Sequence, residues 1–97
     1  MARASKIVLV WKSGDDETLL GPFVEDCLRD GVKFVGVVGP NCERIHDLID
    51  EYVVDDGSDA SRFILTSWHA DETVDEALEF ARMLTGAYAG QVEVMEL

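Results

Sequence analysis

Ile7-Val-Leu-Val-Trp11 is an uninterrupted apolar run, rich in β-branched residues, with no polar residue in alternate positions. A half-wetted strand would alternate, so this run reads as a strand buried on both faces, central in its sheet. Val32-Lys-Phe-Val-Gly-Val-Val38 repeats the signal, with Gly36 marking a weak point or a close backbone approach. Arg62–Trp68, built on Phe63-Ile-Leu-Thr66, predicts a third strand buried on both faces. Gln91–Leu97 alternates through Val92 and Val94 before Met95-Glu-Leu97, which predicts a fourth strand at an edge, its direction left open.

The intervening segments carry helical periodicity. Pro22 suits the first position of a helix bearing Phe23, Val24, Cys27 and Leu28 on one face, Asp30-Gly31 suits its end, and a short turn over Asp16–Leu20 precedes it. Asn41 is a favoured N-cap for a second helix, with Cys42, Ile45, Leu48, Ile49, Tyr52 and Val53 on one face. Asp55–Asp59 is a loop by composition. Thr73-Val-Asp-Glu76 has the form of a capping box ahead of Val74, Ala77, Leu78, Ala81 and Leu84. The order β-α-β-α-β-α-β implies an α/β three-layer sandwich: a four-stranded, mainly parallel sheet with helices on both faces. Placing the most apolar strands centrally gives the order 2-1-3-4, a minimal flavodoxin-like arrangement.

The 97 residues, 47% of them hydrophobic, suffice for one domain with its own core. The formal net charge of −12 excludes general nucleic-acid binding and adhesion to anionic membranes. No apolar stretch approaches the ~18 residues of a membrane span, and the first apolar run is shorter than an export signal's core of about 7–15 residues. These features predict a cytoplasmic protein, and in that reducing compartment Cys27 and Cys42 are expected as free thiols. Charge is uneven: Arg3, Lys6 and Lys12 are the only charged residues among the first twelve, while Asp47–Asp59 and Asp71–Glu79 are rich in carboxylates. That asymmetry suits a homodimer or the docking of a basic protein partner.

In open α/β sheets, ligands sit beyond the carboxyl ends of the strands, at the point where crossovers part to opposite faces. With the order 2-1-3-4 this falls between the first and third strands. Trp11–Glu17, Gly39–Asp47 and Thr66–Glu72 would gather there, with both tryptophans, both histidines and Cys42. Cys42 and His46 lie one helical turn apart, and three readings stay open: a packed cysteine, a thiolate at a helix N-terminus, or a metal set completed by His69. Glu43 and Asp47 oppose a strongly acidic thiol. In Thr66-Ser-Trp-His-Ala-Asp-Glu72, Trp68 offers a stacking face, His69 a general acid or base, and Asp71, Glu72 or Glu43 a carboxylate to orient it. Helix capping is the plainer explanation of Asp71 and Glu72.

Trp11, Ser13, Asp15, Asn41 and Ser67 complete the expected ligand contacts. Ser13-Gly-Asp-Asp-Glu17 lacks a phosphate-binding glycine motif, and its acids oppose an anion. The acid pair is superficially similar to that of response-regulator receiver domains. The third strand, however, ends in Thr-Ser-Trp-His without a phosphorylatable aspartate, and a fifth βα unit is lacking. No motif specifies a cofactor.

Taken together, Gly21–Glu51 (GPFVEDCLRDGVKFVGVVGPNCERIHDLIDE) and Thr66–Glu72 (TSWHADE) resemble a small bacterial family of uncharacterised domains of unknown function with a Rossmann-like, flavodoxin-like α/β fold. The resemblance implies a free-standing cytoplasmic protein and transfers no catalytic residue. Two function classes follow from the residues: a binding or protein-interaction module with a polar and aromatic site at the strand ends, or a small hydrolase or transferase acting on a nucleotide-like or polar metabolite, with or without the help of a metal.

Overall fold

Burial follows the two apolar runs. Ile7, Val8, Leu9, Val35 and Val37 are wholly removed from solvent, as strands covered on both faces must be. The structure, a computed structural model, describes residues 4–14, 16–59 and 61–97. In chain order it has β1 (Lys6–Val10), a 3-10 turn (Glu17–Leu19), α1 (Leu20–Arg29), β2 (Phe34–Val38) and α2 (Cys42–Val54). Then come β3 (Leu65–His69), α3 (Val74–Met83), a second 3-10 turn (Gly86–Tyr88) and β4 (Val92–Glu96). Among the described residues no helix is long and apolar enough to cross a membrane.

All strand pairs are parallel, including the last, whose direction the sequence left open. The α/β class, the four strands and the two helical layers are as predicted, but the strand order is β3-β2-β1-β4 rather than 2-1-3-4. β1 and β2, the two most apolar strands, take the centre. β3 lies at an edge because its strand register is Leu-Thr-Ser-Trp-His, with mostly half-buried positions, and not the apolar Phe-Ile-Leu that precedes it. Arg62 explains the shift. Its guanidinium donates to the Tyr52 and Val53 carbonyls at the end of α2 (2.8 and 2.9 Å) and pairs with Glu25. The chain is thereby drawn across the helix end before the strand begins, and Phe63 is left 60% exposed.

One core, around Trp11, Phe23, Cys27, Ile45 and Ile49, fills the space between the sheet and α1 and α2. The other, around Val8, Phe34, Ala77 and Ala81, lies under α3. Thr73 and Glu76 form the reciprocal capping box, fixing where α3 starts. Asn41 does stand at the N-cap of α2, but in the left-handed conformation (φ 61°) and without a side-chain capping bond, so its tolerance of positive φ, not its acceptor, suits it to the position. Lys6 is buried against α3, where its ammonium donates to the Ala81 and Leu84 carbonyls at 2.7 and 3.4 Å, at the negative end of the helix.

Candidate functional site

Two-residue alternation along β3 decides which of the predicted site residues meet. Thr66 and Trp68 face the α2 layer, while Leu65, Ser67 and His69 face the α3 layer. Trp68 and His69, which the sequence reading put in one pocket, therefore stand on opposite faces of the sheet.

On the α2 side, the Trp68 ring lies against His46, centroids 4.7 Å apart, and remains 44% exposed. His46 Nδ1 is 3.0 Å from Asp47 Oδ1, and Nε2 is 3.4 Å from Asp50 Oδ2, so both ring nitrogens face carboxylates. Asp50 also accepts a 2.6 Å hydrogen bond from the Thr66 hydroxyl, which ties α2 to the edge strand. The sequence reading missed Thr66 and Asp50 as parts of this cluster. The i, i+4 spacing of His46 and Asp50 was its one visible sign.

On the α3 side, Ser67 Oγ is 2.8 Å from His69 Nε2, and His69 Nδ1 is 3.3 Å from Glu72 Oε1. His69 is 4% exposed and meets the edge of Phe80 at 5.1 Å. Gly36 makes room for this: a Cβ there would lie 3.0 Å from Phe34 and 3.2 Å from His69 Nε2, the close approach that a glycine in a central strand foreshadows. Of the carboxylates predicted to orient His69, only Glu72 does so. Ser67, His69 and Glu72 form a hydroxyl–imidazole–carboxylate chain of the kind that activates a nucleophile. Catalysis also needs donors for a developing oxyanion, and the Ser67 amide is turned into the ladder toward β2: Leu65 N–H bonds the Lys33 carbonyl, and alternate residues repeat that direction.

Asp71 (φ 59°) and Glu43 instead border an open depression of roughly 510 Å³ at the carboxyl ends of β2 and β3, with Asn41, Cys42 and Asp47. Gly39 lines it at φ 115°, and a Cβ there would lie 2.9 Å from the Trp11 carbonyl oxygen. The three rim segments share the carboxyl end of the sheet, where Glu17 pairs with Arg44 at 2.7 Å, but the predicted meeting point between β1 and β3 is corrected. β2 lies between β1 and β3, so the loop after β1 is about two strand spacings, ~10 Å, from the end of β3. Trp11, expected as a stacking wall, is a core residue, 2% exposed, with its indole N–H on the Gly14 carbonyl at 2.9 Å. Ser13 is half-buried in that same loop. Asp15 lies outside the described residues.

The metal set is likewise corrected. Cys42 is 4% exposed within the α1–α2 core, and the sheet separates Cys42 and His46 from His69. Among the described residues no group of three or more histidine, cysteine, aspartate or glutamate side chains is arranged to hold a metal ion. Neither cysteine is in a disulfide.

Over residues 1–96 the chain matches a family described as a domain of unknown function, DUF7684. No curated protein and no solved structure matches it.

Proposed function

We propose, for a chain that belongs to the DUF7684 family and whose role has to be read from its own residues, an acidic interaction module that captures a basic protein partner on the face formed by β3 and α2. One observation carries the reading: the half-exposed Trp68 ring rests on His46, directly beside the carboxylates of Asp47 and Asp50. An exposed aromatic stacked on an imidazole that two acids flank suits the alkyl stem and cationic head of lysine, or a stacked guanidinium. The net charge of −12 adds long-range attraction for such a partner.

The test is a fluorescence titration of Trp68 in a Trp11→Phe background with a lysine-rich peptide. Saturable quenching that weakens with salt is expected, and Asp47→Asn with Asp50→Asn should weaken binding by about tenfold, ~1.4 kcal/mol. A charge-matched control, Glu93→Gln with Glu96→Gln on the opposite edge strand, should leave it nearly unchanged. Equal loss in the two pairs would reduce the effect to bulk charge and end the proposal.

A second reading, a small hydrolase or transferase, is favoured by the Ser67–His69–Glu72 chain and opposed by the direction of the Ser67 amide, which is turned into the ladder toward β2. Phosphonylation of Ser67 by a fluorophosphonate, abolished by His69→Gln, would support it; an unmodified Ser67 in intact-mass spectra would remove it.

A further inference from the structure

We infer that the basic partner binds as an added strand on the open edge of β3. This rests on the interaction reading above and deepens it by naming the form of the partner.

Among the described residues β3 is an outer strand of the sheet, paired on one side only. Leu65 donates to the Lys33 carbonyl, so Leu65, Ser67 and His69 turn their main-chain groups toward β2, while Thr66 and Trp68 turn theirs to the free side. Edge strands are ordinarily protected by charged side chains, proline or a covering element. β4, at the other edge, has such protection in Glu93 and Glu96, the latter paired with Lys12. The residues of β3, Leu-Thr-Ser-Trp-His, include no acid, lysine, arginine or proline.

The flanks of this edge are acidic on both faces. Asp50 is bonded to Thr66 and Asp47 to the imidazole beneath Trp68 on the α2 side, and Glu72 to His69 on the α3 side. The neighbouring arginines are turned elsewhere, Arg44 to Glu17 and Arg62 to Glu25. Side chains of an added strand alternate between the two faces. Lysines or arginines on either face would therefore meet a carboxylate, while the main chain pairs with Thr66 and Trp68. The charge complementarity selects a basic extended segment over a second copy of this chain, whose own β3 would bring like-charged flanks together.

The experiment uses the whole chain and a short peptide alternating lysine with valine, followed by amide hydrogen exchange and Trp68 fluorescence. Exchange at Thr66 and Trp68 should slow by about tenfold or more on saturation, with Val92 and Val94 on the opposite edge unchanged. Methylating alternate backbone nitrogens of the peptide, with its side chains kept, should abolish binding. If the peptide quenches Trp68 but methylation is harmless and the two amides stay unprotected, strand addition is overturned and the interaction reading stands. If no peptide binds, both fall. Protection of Thr66 and Trp68 that rises with protein concentration alone would assign the edge to a second copy and overturn the proposal.

Discussion

Replacing each tryptophan by alanine separates a residue that holds the fold from one that only faces out of it. Trp11 is 2% exposed, packed among the α1–α2 core and hydrogen-bonded to Gly14. Emptying such a site removes the transfer energy and leaves a cavity, and Trp→Ala in a core costs about 3–5 kcal/mol. Trp68 is 44% exposed on an edge strand and leaves no enclosed void. Full burial of a large apolar side chain is worth ~1.5–3 kcal/mol, so the part of Trp68 out of water gives about 1–1.5 kcal/mol. The gap between the variants is therefore about 2 kcal/mol or more, roughly 8–16 °C in Tm for a chain of this size. Urea unfolding followed by far-UV circular dichroism reads it directly, and Trp11→Phe, a smaller loss at the same site, serves if Trp11→Ala does not fold. Equal costs at the two positions, or a larger cost at Trp68, would refute the assignment of core and surface on which the proposed docking face depends.

Gly36→Val should destabilise by about 1–3 kcal/mol, because the first added carbon already meets Phe34 at 3.0 Å and the buried ring has nowhere to go. The same variant should move the imidazole NMR signals of His69 and leave those of His46, on the far side of the sheet, in place. Asp56 and Asp59 are held below the usual carboxylate range chiefly by the hydroxyls of Ser58 and Ser61, and next by their amides. The unfolded chain thus takes up protons first as pH falls, so this contribution is complete above the ordinary carboxylate value and lost in acid. Ser58→Ala with Ser61→Ala should unfold at a lower temperature than the wild type near neutral pH, and the difference should close below about pH 4; a gap that widens in acid would contradict the sign.

The fold was legible wherever a residue's environment is set by its immediate neighbours. Ile7–Trp11 and Val32–Val38 are apolar without alternation because both faces are covered, and that one fact leads to helices on both sides and parallel pairing. Thr73 and Glu76 announce the start of α3 because a capping box is closed within four residues. Strand order is a different kind of information. Phe63-Ile-Leu-Thr66 has the composition of a central strand, but Arg62 is spent on carbonyls at the end of α2, a contact across nine residues that no local pattern reveals. The pattern also stops the strand at Trp68, one residue short of His69.

That single residue matters more for the site than for the fold. With the strand stopped at Trp68, His69 is a loop residue free to join Cys42 and His46. With the strand extended to His69, alternation sends the imidazole through to the other face, and no rotation of α2 brings the three together. The Cys42–His46 spacing puts the two on one side of α2, yet a helix face carries no information about which strand face it meets. The open main-chain groups of Thr66 and Trp68 were out of reach for a further reason: a backbone donor has no residue type, and its freedom depends entirely on whether another strand lies beside it. Sequence patterns report what side chains bury. An edge is a property of order, and the proposed partner is selected by the edge together with the carboxylates that the α2 and α3 contacts hold beside it.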